Sequence, residues 1–471
     1  MDRRKFLKNS SLTLTGIAAS NLLLGQESIF SLKPELKGTR PNILFIMTDQ
    51  QFADAMSNTG NKDIKTPAMD YIASNGMRFE KGYCPTPLCV PSRSSMFTGM
   101  YPHEINVPIN NMKAEWDTEQ YPYMGKIMAK AGYDTGYVGK WHLPAMPEDI
   151  DTHGFEYIKY AKDNRIDALV DGACRDFMMK EREKPFMLVS SFVNPHDICQ
   201  WARGDEMLND HLGDAPDSED CPELPDNFEI PDLEPDILRL MQTYTPSTYP
   251  TSEWDKDKWR QYRWAYFRLI EIVDARIQKV LDALKESGQE ENTIIIFTSD
   301  HGDGHGAHKW NQKQVLYEES ARVPLMVSWK GHTKGGSVNN KEVVSTGIDL
   351  IPSMCDIAGV AAPAYMKGSS FMDLALGKED KDWRDYTVIE TEFCQSKKTF
   401  DIKGRCVRTE DFKYMVYDKG DLHEQLFDMV NDKGEMHNLA YKSGYQKQLR
   451  RHRKYLKEWM KETKDNFQLP F

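Results

Sequence analysis

A cysteine, a proline and an arginine lie close together in the segment LCVPSRSSMFTG, residues 88–99. Pro91 suits the first turn of a helix, and the pattern predicts a short helix over Ser92–Met100. The amino terminus of a helix favours a thiolate or any other developing anion, so Cys89 could serve as a nucleophile there. A capped helix alone would account for Pro91 but not for Arg93 at this spacing.

Other basic side chains could stabilise the negative charge that develops in a reaction on an oxyanion of sulfur or phosphorus. With Arg93, the candidates are Lys140, His142, His196, His308 and Lys313. Histidine is also the natural donor of a proton to a leaving alcohol near neutral pH. Taken singly, each lysine has the commoner explanation of a solvated surface residue, and each histidine that of a structural residue.

A second set of side chains has the chemistry of a metal site. Asp49, Gln50, Asp300 and His301 offer hard oxygen ligands and one imidazole. Oxygen-rich sets suit Ca²⁺ or Mg²⁺. The alternative is that these residues cap strand ends and form salt bridges.

Four continuous apolar segments predict the strands that would position these residues, and each is followed by polar side chains. The strands are predicted over Asn42–Met47, Thr135–Val138, Phe186–Val193 and Thr293–Phe297, with helices over Thr66–Asn75, Tyr123–Lys130 and Trp259–Glu286. This alternation predicts an α/β fold, with a large, mostly parallel sheet sandwiched by helices. Ligands bind at the carboxyl ends of such strands, so we expect the four polar ends to meet at one rim.

The rest of the chain predicts a surface excursion and a smaller domain. Residues 197–252 are rich in Asp, Glu and Pro, which favours a long surface segment. Short antiparallel strands are predicted over Lys413–Tyr417 and Glu424–Asp428, and a terminal helix over Tyr445–Lys464. We therefore predict a catalytic domain over residues 38–380 and a C-terminal α+β subdomain over residues 381–471.

The net charge limits the partners that we expect, and the amino-terminal residues predict the location of the protein. The formal net charge is −12, so nucleic acid is not an expected partner. Residues 1–30 begin with a basic segment that includes Arg3 and Arg4 and continue with a short apolar one, which predicts export to the periplasm by a twin-arginine signal. An ordinary secretory signal is the alternative. No other segment is apolar enough to predict a transmembrane span.

The eight cysteines are scattered and include no CxxC pair. This spacing indicates neither a zinc site nor the disulfide framework of a small secreted domain. One or two disulfide bridges would still be compatible with export.

The motif Cys-x-Pro-Ser-Arg, here Cys89–Arg93 followed by Thr98 and Gly99, resembles that of the type I sulfatases of the alkaline phosphatase superfamily. The resemblance extends over most of the chain, through Pro41–Gln50, Gly139–His142, Asn194–His196, Ser299–Gly302, Lys313 ahead of Tyr317–Ser320, and Leu426–Asp428 with Asn438–Ala440. In that family a maturing enzyme oxidises the cysteine to formylglycine (3-oxoalanine), an aldehyde that hydrates to a diol. The resemblance therefore implies that Cys89 is a precursor of the reacting group.

The family also implies roles for the other residues. Asp49, Gln50, Asp300, His301 and the group at position 89 would bind Ca²⁺, and Arg93 would hold the diol. Lys140 and Lys313 would bind sulfate oxygens. His196 would protonate the leaving alcohol, and His142 would deprotonate the second hydroxyl and so release sulfate.

The resemblance implies a sulfatase that hydrolyses sulfate esters of carbohydrates, acting from the ends of glycan-derived oligosaccharides. Candidate sugar contacts are His103, Trp201, Arg203, His308, Trp310 and Asn311. Gln50 and His301 depart from the commonest family pattern and resemble the formylglycine-dependent phosphonate monoester and phosphodiester hydrolases, which are one alternative. A non-catalytic glycan-binding relative is another, and Cys89→Ala separates it from the enzymes.

Overall fold

The computed structural model describes residues 40–244, 251, 253–395 and 398–471, so the predicted export signal over residues 1–30 lies outside the described residues. The described residues form fourteen strands. These are β1 (Asn42–Asp49), β2 (Gly76–Phe79), β3 (Gly82–Tyr83), β4 (Asp134–Gly139), β5 (Tyr157–Lys159), β6 (Phe186–Pro195), β7 (Thr293–Ser299), β8 (Leu325–Trp329), β9 (Ser337–Asn339), β10 (Val344–Ser345), β11 (Tyr386–Gln395), β12 (Lys398–Thr409), β13 (Phe412–Tyr417) and β14 (Glu424–Asp428).

Eight of these strands form the main sheet, in the order β5-β4-β6-β1-β7-β8-β2-β9. Strands β4, β6, β1 and β7 run parallel, and β8 is antiparallel to both β7 and β2. Strands β1, β6 and β7 are buried along their whole length, as expected of apolar segments covered on both faces. The predicted large, mostly parallel sheet is confirmed.

Helices cover both faces of this sheet. The described helices are α1 (Pro67–Ser74), α2 (Cys89–Thr98), α3 (Met124–Lys130), α4 (Ile150–His153), α5 (Asp167–Met178), α6 (Ile198–Arg203), α7 (Asp236–Tyr244), α8 (Lys256–Glu286), α9 (Glu318–Ala321), α10 (Leu350–Ile357), α11 (Met372–Ala375) and α12 (Gln446–Thr463). Helices α1, α5 and α8 pack on one face, and α2, α3 and α10 on the other. None of the helices among the described residues is both long and apolar enough to cross a bilayer.

The C-terminal residues form a separate four-stranded antiparallel sheet, in the order β11-β12-β13-β14. Helix α12 packs on this sheet through Leu449, Leu456 and Trp459. The predicted strands and terminal helix are confirmed to within one residue at each end. The division of the chain at residue 381 stays a prediction.

The segment over residues 197–252 is not purely a surface excursion, so that prediction is wrong in part. It contains α6 and α7, and Phe228, Leu238 and Met241 are buried. Leu238 and Met241 pack in a cluster with apolar residues of the C-terminal strands. Ile237, Leu238 and Met241 form the apolar side of α7 at the spacing of three and four residues that marks an amphipathic helix, although the Asp, Glu and Pro content of the whole segment favours a surface excursion.

Candidate active site

The centre of the candidate site is formed by the adjacent ends of β1 and β7. Thr48 pairs with Ser299 in the parallel register, which brings Asp49 and Asp300 to the same edge of the sheet. The backbone N–H of Gln50 donates to Asp300 Oδ1 at 3.1 Å. The sequence therefore places two carboxylates side by side because two parallel strands end together.

Helix α2 brings Cys89 to this edge. The helix begins at Cys89 rather than at Ser92 as predicted, and Leu88 before it is extended. Ser92 Oγ donates to the carbonyl oxygen of Asp300 at 2.5 Å, which ties the first turn to the end of β7. Cys89 Sγ consequently lies 3.1 Å from His301 Nε2 and 3.7 Å from Asp49 Oδ1.

Arg93, one turn further along α2, is fully buried and contacts β6 and the ends of β1, β4 and β7. Its guanidinium donates to Asp300 Oδ2 at 2.7 Å and to Asp49 Oδ2 at 3.1 Å. It also donates to Ser191 Oγ at 3.0 Å and to the carbonyl oxygen of Lys140 at 3.1 Å. A planar fork with five donors fits such a set of acceptors, which answers why an arginine follows Cys89 at this spacing.

Lys140 reaches the carboxylates from the end of β4. Its Nζ lies 2.6 Å from Asp49 Oδ2 and is almost fully buried. The residue before it, Gly139, has φ 109°, and a Cβ there would lie 1.8 Å from the carbonyl oxygen of Ser191. Only glycine allows β4 to end against β6 in this way, so Gly139 is required for the position of Lys140.

Lys313 enters from the loop before α9. Its Nζ lies 3.0 Å from both Gln50 Oε1 and Cys89 Sγ. Burial alone would lower the pKa of this ammonium, but Cys89 and Asp49 raise it above its ordinary value. Lys313 and Lys140 thus present two buried cations beside the group at position 89.

His142 and His196 flank these cations and are partly exposed. Burial, with Lys140 and Lys313, holds the pKa of His196 well below its ordinary value. Burial also lowers the pKa of His142, against a hydrogen bond to Cys89 that acts in the opposite direction. Among the described residues, neither His142 Nδ1 nor His196 Nδ1 has a hydrogen-bond partner.

The donor set fits a metal ion. Asp49, Cys89, Asp300 and His301 are buried, and each offers a ligand atom within 4.8 Å of the others. Gln50 Oε1 faces the same space, since Lys313 contacts it together with Cys89. With an oxygen in place of Cys89 Sγ the set would be oxygen-rich, as Ca²⁺ and Mg²⁺ prefer.

The two carboxylates titrate differently. Burial opposes ionisation of Asp49, but Lys140, His196 and Arg93 hold the pKa of its carboxyl well below its ordinary value. Burial and the neighbouring charge of Asp49 raise the pKa of Asp300 to about 6. A cation between them would favour ionisation of both.

The predicted sugar contacts do not form one cluster. His103 lies in the wall of a cavity between the loops that flank α2 and the C-terminal sheet, where Nδ1 is 2.7 Å from Glu390 Oε1. Trp201 packs beside Tyr262, with the ammonium of Lys258 4.2 Å from its ring centroid, and Arg203 pairs with Asp205. The roles of these three residues stay predictions.

The other three predicted sugar contacts are buried in the loop before Lys313. His308 stacks on Tyr317 with ring centroids 4.0 Å apart, and burial lowers its pKa to about 3. Trp310 and Asn311 are also buried, and Asn311 Nδ2 has no hydrogen-bond partner among the described residues. Their contact with a substrate likewise stays a prediction.

Two residues that contact the site were not singled out from the sequence. Ser191 bonds to Arg93, and Asp303 bonds to Gln50. A polar pair, Ser190-Ser191, interrupts the apolar segment of β6, and Asp303 follows His301 by two residues. The sequence could have indicated both residues, because a polar side chain within a buried strand or beside a metal ligand needs a hydrogen-bond partner.

Comparison with known families identifies the chain. The family model described as "Sulfatase" matches residues 41–360, and that described as "N-sulphoglucosamine sulphohydrolase, C-terminal" matches residues 306–464. The chain belongs to the sulfatase family and is a sulfuric ester hydrolase.

Two curated relatives from Bacteroides thetaiotaomicron cover nearly the whole chain. A Delta 4,5-hexuronate-2-O-sulfatase is 30% identical over 91% of this chain and 90% of its own length. An N-acetylglucosamine-6-O-sulfatase is 28% identical over 98% of this chain and 94% of its own length.

Solved structures share this fold. A 2-O GAG sulfatase superposes with a TM-score of 0.81 and 27% identity, covering 91% of this chain and 94% of that one. A phosphonate monoester hydrolase of Agrobacterium radiobacter has a TM-score of 0.75 at 21% identity, covering 90% of this chain and 96% of that one. At that identity the second likeness concerns the fold alone.

Proposed function

We propose that this sulfatase hydrolyses sulfate esters of carbohydrates, at the ends of glycan-derived oligosaccharides. The observation that carries the proposal is the convergence of Lys140, Lys313 and Arg93 around position 89. Buried cations of this kind stabilise an oxyanion much more strongly than a water-exposed lysine would. Relatives that act on hexuronate and N-acetylglucosamine sulfates support a sugar as the alcohol part of the ester.

The buried position of the centre supports action at chain ends. Cys89 and Lys140 are each 1% exposed, whereas His142 and His196 are partly exposed. A terminal sulfated sugar would enter more readily than the middle of a chain. His196 would then hold the proton that the departing alcohol takes up, and His142 would accept a proton at position 89.

The proposal includes maturation of Cys89 to formylglycine by a maturing enzyme. Matured Cys89 would supply the nucleophile for sulfur, and Ca²⁺ held by Asp49, Gln50, Asp300, His301 and the group at position 89 would supply a Lewis acid. Arg93 holds Asp49 and Asp300 in place for that ion. Export to the periplasm through residues 1–30 belongs to the same proposal.

The test is sulfate release from a panel of sulfated mono- and disaccharides by protein co-expressed with a maturing enzyme. Phosphodiesters and phosphonate monoesters belong in the same panel, and Cys89→Ala is the control. We expect release from one sulfated sugar, together with a mass at position 89 that corresponds to formylglycine. Cys89→Ala should lose turnover while retaining its fold.

Two outcomes would contradict the proposal. Turnover of the phosphorus esters without sulfate release would assign the protein to the alternative hydrolases that Gln50 and His301 resemble. Glycan binding without any turnover in the matured protein would make it a binding relative.

A further inference from the structure

Helix α12 has two chemically distinct faces. Leu449, Leu456 and Trp459 are buried against the C-terminal sheet, at the spacing of three and four residues that marks one side of a helix. The opposite side is exposed and basic. It carries Lys447, Arg450, Arg451, Lys454, Lys457, Lys461 and, at the end of the helix, Lys464.

This basic face is unusual in a protein of net charge −12. Lys447, Arg450, Lys454, Lys457 and Lys461 recur at intervals of three and four residues, so they form one stripe along the helix. At 1.5 Å per residue the stripe is about 21 Å long. The exposed acidic residues between Lys447 and Lys464 are Glu458 and Glu462.

Most of this charge is not neutralised within the protein. Lys454 Nζ lies 3.5 Å from Glu458 Oε1, and both side chains are exposed. In the part of the chain that the structure describes, Lys447, Arg450, Lys457 and Lys461 form no ion pair with a carboxylate. Like charges on one helix face destabilise the helix, so the stripe carries a cost that an anionic partner would offset.

An aromatic ring borders the same stripe. Phe471 is 42% exposed, and its ring centroid lies 4.0 Å from the guanidinium carbon of Arg453 and 5.2 Å from Lys457 Nζ. Together with Arg450, Lys454, Glu458 and Lys461, these residues line a shallow groove in which cations outnumber the single carboxylate. An aromatic face beside several cations matches a sugar ring that carries sulfate groups.

The helix ends close to the catalytic part of the molecule. His103 Nε2 lies 3.2 Å from the carbonyl oxygen of Thr463, in the last turn of α12. His103 also lines the cavity that includes Thr86, three residues before Cys89. His103 also packs on Trp459, on the buried side of α12, so the exposed basic stripe lies on the opposite side of the helix from His103.

We propose that the exposed face of α12 binds sulfated polysaccharide chains. The inference rests on the proposed function for its biological purpose, but its binding chemistry is independent of turnover. A membrane surface fits less well, because the apolar side of an interfacial helix enters the lipid and here that side is buried against the sheet.

The experiment measures binding of heparin, a sulfated polysaccharide, to the Cys89→Ala protein, which has no turnover. The test variant carries Lys447→Gln, Lys454→Gln, Lys457→Gln and Lys461→Gln. The matched control carries Lys62→Gln, Lys130→Gln, Lys184→Gln and Lys334→Gln, four exposed lysines elsewhere. Glutamine keeps the helix propensity of lysine, so both variants should fold.

We expect the α12 variant to raise the Kd for heparin by about tenfold or more, and the salt dependence of binding to become weaker. The control should bind as the parent does. Equal losses in both variants, or no heparin binding by the parent, would overturn the inference. Binding to phosphatidylglycerol vesicles without binding to heparin would overturn it in favour of a membrane.

A second measurement separates the proposed function from the proposed binding by α12. It follows sulfate release from a short sulfated sugar by the matured protein that carries the same four α12 substitutions. We expect kcat/KM for that substrate to stay unchanged. If the parent fails to release sulfate from any sugar, the proposed function fails, whereas the heparin titration still decides whether α12 binds polyanions.

Discussion

The side-chain nitrogen of Gln50 donates to Asp303 Oδ2 at 2.8 Å, and Tyr262 donates to the same carboxylate at 3.0 Å. An amide has a donor at one end and an acceptor at the other. The contact with Asp303 therefore turns Gln50 Oε1 toward Lys313 and the ligand cluster. Asp303 thus determines which atom Gln50 would present to a metal ion.

We expect Asp303→Asn to weaken calcium binding by about tenfold to a hundredfold, since a hydrogen bond to a charged group contributes about 1.5–3 kcal/mol. Asparagine can present its own amide nitrogen to Gln50 and so no longer fixes the orientation. Calorimetric titration of the metal-free protein with Ca²⁺ would measure the change. Sulfate release at saturating Ca²⁺ should recover toward that of the parent.

Tyr262→Phe is the control for this prediction. It removes a hydrogen bond to Asp303 but keeps the carboxylate that accepts from Gln50, so calcium affinity should change by no more than about threefold. Unchanged affinity in Asp303→Asn would show that another contact orients Gln50.

A second prediction concerns the stability of the site. Arg93→Ala would leave the buried carboxylates of Asp49 and Asp300 without their shared guanidinium. Removing one partner of a buried ion pair costs about 3–5 kcal/mol. Urea denaturation of the metal-free protein should show this loss, and Arg93→Lys, which keeps the charge, should lose less. A larger loss in Arg93→Lys than in Arg93→Ala would contradict the argument.

The sequence predicted the parts of the site that depend on strand ends. Asp49, Lys140 and Asp300 each follow or end a continuous apolar segment, and parallel strands bring such ends to one edge. The apolar length and the polar end are both local properties, so they are visible in the sequence. The fold class was predictable for the same reason.

The contacts between those ends could not be predicted. Arg93 joins α2 to Ser191 and Asp300, which are separated from it by 98 and 207 residues. The start of α2 at Cys89 also depends on a tertiary contact, since Ser92 bonds to the backbone of Asp300. Local periodicity has no information about which distant acceptors a side chain will meet.

A third prediction uses the leaving group to test His196. An alcohol of a sugar needs a proton as it departs, whereas 4-nitrophenolate does not. We expect His196→Ala to lower kcat/KM by about 10²–10⁴-fold for the sulfated sugar, the usual contribution of general acid catalysis. For 4-nitrophenyl sulfate the loss should be about tenfold or less.

His142→Ala is the matched control, because the proposed role of His142 follows departure of the alcohol. It should lower kcat for both substrates and leave kcat/KM for each nearly unchanged. The lowered pKa of His196 in the substrate-free protein makes this comparison informative, since an anionic sulfate between Lys140 and Lys313 would raise that pKa. Equal losses for both substrates in His196→Ala would assign the proton to another group.

A fourth prediction concerns the pH dependence of stability and rests on Asp167. Burial raises the pKa of this carboxyl from its ordinary value to about 7, although the backbone N–H groups of Val193 and Asn194 donate to it at 2.7 and 2.9 Å. A carboxyl whose pKa is higher in the folded state than in the unfolded state favours folding while it is protonated. Its contribution is therefore lost as the pH rises from about 4 through 7.

Asp167→Asn should remove this pH dependence, because asparagine stays neutral. At pH 5 the variant should be less stable than the parent, since asparagine offers one acceptor to two N–H groups. The difference in the free energy of unfolding between variant and parent should shift in favour of the variant by roughly 2–3 kcal/mol between pH 5 and pH 8. Urea denaturation across this range would measure it, with Asp214→Asn at an exposed site as the control. Parallel curves for the parent and Asp167→Asn would mean that the two N–H groups keep Asp167 ionised throughout, so that burial is not the dominant influence on the pKa of Asp167.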